Sequence, residues 1–368
     1  MNAAYRREAD ALDETILRHI TAWHEHGAEL SDDRFNALAL RVFAHQVRYN
    51  EPYGRYCAAF GFTSECLPQH WTRIPAVPTG AFKEAALATF PIQHAALSFQ
   101  TSGTTRGRRG THHMESAALY DAALLAGFDR AMLDDAAALR YFHLLPHPAE
   151  APTSSLAYMM RRISDERGSS GDDWYLRSDT LLFDTLLRDM LEAVAHRQPV
   201  CLAGTAFALV HLLDELRSRG CELQLPPGSR IMETGGFKGR SRVVSCESLY
   251  QQLSASLGIP PKDIVAEYGM TELCSQYYDS AQSRESARRV KRAPPWVRSL
   301  VTQSGRRSCA PGEAGALIHV DLANRSSVIA IGTEDLGIAA EEGFVFLGRA
   351  SGADLRGCSL EAEDLQRA

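Results

Sequence analysis

Between residues 139 and 267 four short apolar runs alternate with helical patterns, and that alternation leaves the chain few architectures. The runs are 141–145, 200–202, 230–232 and 264–266. Between them lie apolar stripes at helical spacing, clearest at 181–194 and 249–257, the second closed by Gly258 and then Pro260 and Pro261. Strands that alternate with helices lie parallel, with the helices over both faces, so the predicted fold class is α/β with a mostly parallel sheet flanked by helices. After Pro294 the helical period gives way to closely spaced strands at 316–320, 327–331 and 344–347, which predicts a small C-terminal antiparallel β subdomain. Ahead of the core, Leu12, Ile16, Ile20 and Trp23 form one amphipathic stripe. Ser31, followed by two acids, is a predicted N-cap for a second helix carrying Phe35, Leu38, Val42 and Phe43. The expected organisation is a helical preface over 1–70, an α/β core over 71–293 and a β-rich region over 294–368. The stretch 164–173, rich in Gly, Ser and acids, reads as a mobile loop.

Composition narrows the functions available. The chain has 368 residues, 45 of them acidic and 39 basic, for a net charge of -6, and its only basic clusters are 106–109 and 288–292, so nucleic acid is not expected as a partner. Eight cysteines are scattered without a C-x-x-C pair, which suits free thiols in a reducing cytoplasm. The N-terminus is charged where a signal peptide needs an apolar run, and no 18-residue apolar stretch occurs, so neither secretion by that route nor a membrane span is expected.

The chemistry starts at Phe99-Gln100-Thr101-Ser102-Gly103-Thr104-Thr105-Arg106-Gly107-Arg108-Arg109-Gly110. Small residues let such a loop turn its N–H groups on an anion, while hydroxyls and arginines add donors and charge, the makings of a phosphate cradle; the Walker pattern is absent. A bare Gly/Ser/Thr run is more often a surface turn, and what raises its meaning is the series that follows. One strand leads into Thr234-Gly235-Gly236, another into Tyr268-Gly269-Met270-Thr271-Glu272, and beyond them come Thr333-Glu334-Asp335-Leu336-Gly337 and Gly348-Arg349. Ligands of parallel sheets bind at the carboxyl ends of strands, where the first two motifs fall.

In this order the series resembles the adenylate-forming superfamily of acyl-CoA synthetases, peptide-synthetase adenylation domains and luciferases. Within it the chain is most similar to the LuxE-type acyl-protein synthetases, through Ile74-Pro75-Ala76-Val77-Pro78 leading to Phe82-Lys83, Glu233-Thr234-Gly235-Gly236-Phe237-Lys238-Gly239-Arg240, Tyr268 to Gln276, and the ending Leu355-Arg356-Gly357-Cys358-Ser359-Leu360. The resemblance, over about 70–360, implies a large adenylate-forming N-terminal domain, with ATP and Mg2+ as cofactors and a carboxylic acid, fatty by analogy, as substrate. Thr101, Ser102, Gly103, Thr104 and Thr105 are then expected at the β- and γ-phosphates, with Arg106, Arg108 or Arg109 at departing pyrophosphate. The family has Gly where Arg106 stands. Gly235 and Gly236 fall against adenine with Thr234 beside them, and Tyr268 stacks on its other face, followed by Gly269 and Met270. Thr271 suits the α-phosphate, Glu272 the Mg2+, and Asp335 the ribose hydroxyls, with Arg349 near the ribose.

Relatives continue past the Gly-Arg element into a mobile lid domain, whereas this sequence runs ten residues beyond Cys358, so the lid is expected to be absent. In acyl-protein synthetases a cysteine near the C-terminus takes the acyl group as a thioester before a partner acyl reductase or acyltransferase accepts it, and Cys358 matches that position. Cys274, beside Glu272, is its rival; each has an alternative reading as a packing residue. His112 and His113 are read as phosphate or acyl-pocket contacts or as structural histidines. His143 and His147 are read as site-lining candidates at a strand end, and Trp174 and Tyr175 as core. Three functions stay open: a LuxE-like ligase with a cysteine relay, an adenylating ligase that acylates a small-molecule amine or thiol directly, and a non-catalytic binding subunit of the same fold.

Overall fold

The computed structural model of the protein describes residues 3–101, 108–133, 138–168, 173–178, 180–235, 245–286, 288–303 and 307–350. In chain order the elements are α1 (Ala3–His26), α2 (Asp32–Tyr49), α3 (Glu51–Ala59), β1 (Val77–Pro78), α4 (Ala81–Glu84), β2 (Leu97–Gln100), β3 (Thr111–Met114), α5 (Ala118–Met132), β4 (Arg140–Pro146), α6 (Ser155–Arg167), β5 (Trp174–Arg177), β6 (Thr180–Leu181), α7 (Phe183–Ala195), β7 (Val200–Thr205), α8 (Ala206–Ser218), β8 (Arg230–Thr234), α9 (Cys246–Leu257), β9 (Ile264–Tyr268), β10 (Tyr277–Asp279), β11 (Val290–Arg292), β12 (Val297–Thr302), β13 (Ala314–Asp321), β14 (Ala330–Ala340) and β15 (Gly343–Arg349). The chain divides into two compact units. The first takes in Met1–Gly127, Met270–Gln276 and Arg292–Ala368, the second Phe128–Gly269 and Tyr277–Lys291.

In the first unit the predicted helical stripes are the buried faces of α1 and α2. Tyr5 and Ala9 extend the stripe of α1 toward the N-terminus, which is why that helix starts earlier than its clearest periodicity. Ser31 caps α2 by accepting from Arg34 N. Strands β12, β13, β14 and β15 form the antiparallel region predicted after Pro294, and β1 joins β14 in parallel. One strand starts later than its sequence suggests. Residues 327–329 are apolar or small enough for a strand, yet β14 begins at Ala330, because the Asp321 side chain accepts from Ala323 N and Ser327 N donates to Asn324 O, folding 321–327 into a turn. Strands β2 and β3 form a separate hairpin.

The second unit holds the alternating strands and helices read over 139–267. Its sheet order is β10, β9, β8, β7, β4, β5, β6; the five central strands run parallel and the two outer ones antiparallel to their neighbours. Strands β8 and β9 are buried at every position. Phe142, Leu202, Ile231 and Ile264 of the strands share one core with Leu186 of α7, Leu209 and Leu213 of α8 and Leu253 of α9. Burial of this kind contributes roughly 25 cal/mol per Å2 of apolar surface. The loop expected at 164–173 needs correction: Ser164 to Arg167 close helix α6, with pairs Arg161–Asp165 and Arg162–Glu166 along its surface and a forked Arg167–Asp129 bridge pinning its last turn. No helix among the described residues is long and apolar enough to cross a membrane.

Candidate active site

In the first unit the phosphate-loop sequence is carried by the β2–β3 hairpin. Gln100 pairs with Thr111, Thr101 N donates to Gly110 O at 2.9 Å, and Gly110 N donates to Thr101 Oγ1 at 3.1 Å, so Thr101 anchors the loop's base. A Cβ on Gly110 meets Phe82 and Thr101 at 3.1 and 3.2 Å, which keeps this neck tight. Arg108 is exposed. Ser102, Gly103, Thr104, Thr105 and Arg106 lie outside the described residues, as do Gly236 and Cys358.

The segment Met270–Gln276 belongs to no strand or helix; Leu273 N donates to Met270 O in a turn, and side chains from elsewhere in the first unit bond other groups of its backbone. The His112 ring donates from Nδ1 to the Thr271 carbonyl at 2.9 Å. The Asn324 side chain donates to Glu272 O at 2.9 Å and accepts from Cys274 N at 2.7 Å, and Asp321 accepts from Cys274 N and from Ser275 Oγ. Trp296 Nε1 donates to Ser275 Oγ at 2.8 Å. Within this frame Glu272 is buried, and Thr271 and Met270 are half-buried. Burial pushes the Asp321 carboxyl up to about 6 against the four hydrogen bonds it accepts.

His112 is fully buried, and desolvation pushes it down to about 4, although its bond to Thr271 O favours the charged form. It is therefore neutral near pH 7 and carries its proton on Nδ1; Nε2 has no hydrogen-bond partner among the described residues. Of the readings open for His112 the structure supports the structural one. His113 meets Ser98 Oγ at 2.8 Å.

Asp335 and Arg349 face each other across β14 and β15, with Nε and Oδ1 3.6 Å apart. Asp335 is buried and Arg349 exposed, and Thr333 Oγ1 accepts from Asp335 N while donating to Leu317 O. The 335-to-349 register therefore places the predicted ribose pair together.

In the second unit Thr234 and Glu267 are register partners at the ends of β8 and β9, and Thr234 Oγ1 donates to the Glu267 carboxylate. Gly235 follows at φ 64°, a left-handed turn that suits glycine. Tyr268 is buried, with its ring edge-on to Tyr277 at 5.7 Å, and Gly269 is exposed. Beneath these ends Tyr250 donates to Glu233 at 3.0 Å, and Lys291 and Arg289 bind Asp279 at 2.8 and 2.9 Å. Desolvation pushes Glu233 up to about 7 despite the opposing Lys291 charge. His143 is buried, meets Ser164 Oγ at 2.7 Å and lies 4.2 Å from the Trp174 ring; His147 packs edge-on to the same ring. Trp174 and Tyr175 are core residues, as expected.

Cys274 differs from a reactive thiol. It is fully buried, and desolvation, reinforced by Asp321, drives its pKa well above the ordinary thiol value. Sequence reasoning missed Asn324, Asp321 and Gln46. For Asp321 and Asn324 the available signal was the largely polar stretch 321–326 between the strands expected at 316–320 and 327–331; Gln46 carried none.

For Mg2+, no cluster of three or more His, Cys, Asp or Glu side chains suited to a metal occurs among the described residues. A single hard carboxylate with an adjacent hydroxyl, as at Glu272 and Thr271, fits an ion that takes most of its ligands from water and phosphate oxygens.

A family model described as "Acyl-protein synthetase, LuxE" matches residues 11–365. No curated protein matches the sequence. Among solved structures, 2-hydroxyisobutyryl-CoA ligase in the postadenylation state superposes with a TM-score of 0.63 at 13% identity, over 86% of this chain and 68% of that one. McyG A-PCP complexed with phenylalanyl-adenylate gives 0.49 at 16% identity over 71% of this chain, and the O-succinylbenzoate coenzyme A synthetase MenE from Bacillus subtilis in complex with AMP gives 0.48 at 20% over 70%. The chain spans about half the length of the last two, 48% and 50%. At 13% identity the likeness to the ligase is one of fold alone.

Proposed function

The chain belongs to the LuxE acyl-protein synthetase family, and from that premise we propose that it activates a carboxylic acid, fatty in our reading, with ATP and then carries the acyl group as a thioester on Cys358. The segment around Thr271 and Glu272 carries this reading, because it presents a buried carboxylate and a hydroxyl on a backbone held from both sides.

A carboxylate is already a nucleophile, so no general base is required. Its oxygen attacks the α-phosphorus of ATP, the bond to the bridging oxygen of the β-phosphate breaks, and pyrophosphate departs. Thr271 is assigned to the α-phosphate, and the loop from Thr101 to Thr105, with Arg108, to the β- and γ-phosphates. Thr234, Gly235, Gly236, Tyr268, Gly269 and Met270 are assigned to the adenine side, and Asp335 with Arg349 to the ribose. Glu272 would hold Mg2+, which when bound would supply positive charge beside the phosphate oxygens. The mixed anhydride is then attacked at its carbonyl carbon by the Cys358 thiolate, and AMP leaves. The burial of Cys274 supports this choice of thiol. A reductase or acyltransferase then accepts the acyl group.

The test incubates the protein with ATP, Mg2+ and a panel of labelled acids, and follows pyrophosphate and hydroxylamine-sensitive label on the protein. We expect both with the wild type and with Cys274→Ser, and pyrophosphate without label with Cys358→Ser. Label that persists in Cys358→Ser overturns the relay, pyrophosphate without label on the wild type points to a small-molecule acceptor, and no pyrophosphate with any acid overturns the activity.

A further inference from the structure

We propose that Asn324 and Gln46 are positioning residues that set the orientation of Glu272, which gives helix α2 of the N-terminal preface a part in the site's chemistry. The proposal rests on the reading of Glu272 as the Mg2+ ligand.

Asn324 is fully buried, and both its amide hydrogens and its amide oxygen are hydrogen-bonded. Its Nδ2 donates to Glu272 O at 2.9 Å and Val328 O at 3.1 Å, and its Oδ1 accepts from Cys274 N at 2.7 Å. A planar amide bonded in this way splices the irregular segment to the 321–329 turn as a strand neighbour would. The bonded atoms, Glu272 O and Cys274 N, lie just past the Glu272 Cα, and His112 holds Thr271 O just before it. Rotation of the Glu272 peptide therefore breaks at least one buried hydrogen bond and leaves its partner unsatisfied.

The turn is held in the same way from α2. Gln46, also fully buried, donates from Nε2 to Asn324 O at 2.9 Å and Arg325 O at 3.1 Å and accepts at Oε1 from Ile329 N at 2.8 Å. Asn50, at the end of the same helix, donates to Ser327 O at 3.1 Å. Two buried carboxamides in series thus connect a helix to the backbone of Glu272. The segment has no strand or helix, and its own contribution to that order is a turn in which Leu273 N donates to Met270 O at 3.1 Å.

The experiment measures the affinity of α,β-methylene-ATP by calorimetry with and without Mg2+, for wild type, Asn324→Ala, Gln46→Met and, as a control for weakened packing of the same helix, Val42→Ala. Partners that orient a metal ligand are typically worth about ten- to a hundredfold in metal affinity, so Asn324→Ala is expected to lose about tenfold or more of the affinity gain conferred by Mg2+, Gln46→Met about threefold, and Val42→Ala none. Affinity without Mg2+ stays within about twofold throughout, which a general loss of structure does not allow. A Mg2+ gain in folded Asn324→Ala equal to that of wild type overturns the proposal, as does an equal loss in Val42→Ala. Hydrogen exchange on the wild type needs no variant: the Cys274 amide is expected to exchange as slowly as the amides of β13, and exchange at the rate of an open loop refutes the clamp. A wild type whose analogue binding ignores Mg2+ while the Cys274 amide stays protected fails the reading of Glu272, and the positioning role falls with it.

Discussion

The two units support their irregular segments by different physical means. In the first, residues 270–276 have no strand of their own and are held by His112, Asn324, Asp321 and Trp296, groups that arrive from distant parts of the sequence. In the second, Thr234-Gly235 and Tyr268-Gly269 continue from parallel strands whose register already sets Thr234 beside Glu267. The first support is polar and long-range, whereas the second is a ladder over an apolar core with buried charge beneath it. The first design fails by losing partners, the second by losing packing or by titration.

The largest expected effect is at Arg325, nearly fully buried in the first unit, whose guanidinium binds Asp13 at 2.6 Å and Glu115 at 2.8 Å. Arg325→Met leaves two carboxylates without their cation and is expected to cost about 3–5 kcal/mol in urea unfolding. A loss under about 1 kcal/mol would show that the polar frame tolerates a missing partner and would end the contrast. Next comes Leu202→Ala in the second unit's core, at about 2–5 kcal/mol, with faster hydrogen exchange concentrated in β4, β7 and β8. Acceleration equally strong at 270–276 would count against separate supports.

The response to pH sharpens the comparison because the buried histidines of the first unit and Glu233 of the second titrate with opposite sign, while Asp321 of the first unit, raised to about 6, shares the sign of Glu233. Burial lowers His45 and His319 to about 3 and His112 to about 4, all in the first unit. Their stability contribution is present above the ordinary imidazole value of 6.5 and is lost as pH falls through the lowered values. Glu233 in the second unit is raised to about 7 from 4.5, so its contribution is present below 4.5 and is lost as pH rises through about 7. Hydrogen exchange at pH 5 and pH 8 should loosen peptides of the first unit on the acid side and those around β8 on the alkaline side. Glu233→Gln is expected to abolish the alkaline loosening. Unchanged loosening in that variant would assign it to another group. The smallest effect is at Arg349: an exposed partner 3.6 Å from Asp335 stabilises by under about 1 kcal/mol, so Arg349→Ala should unfold within about 1 °C of wild type. A larger shift would mean that β15 depends on the pair.

Legibility followed the range of the signal. The stripes of α1 and α2, the Ser31 cap, the alternation that builds the parallel sheet and the antiparallel character after Pro294 are all local periodicities or end signals, and each is found in the structure. The order of short motifs was enough to identify the family. Thr271, Glu272, Thr234, Tyr268 and Asp335 could be singled out because each stands within or beside a strand-end motif. Asn324 and Gln46 could not, since 278 residues separate Gln46 from the turn it holds and an isolated amide carries no periodic mark. The helical end of 164–173 was missed because Gly and Ser beyond Arg167 outweighed the spaced charge pairs before it.

The sequence by itself determined the succession of elements, the fold class and the family, since hydrophobic period and motif order are properties of neighbouring residues. The tertiary structure alone decided what holds Glu272 in place, that Cys274 is a buried thiol, and that Asp335 faces Arg349. Burial and hydrogen-bond partnership arise only when distant segments meet, and they set the protonation and orientation on which the proposed chemistry depends.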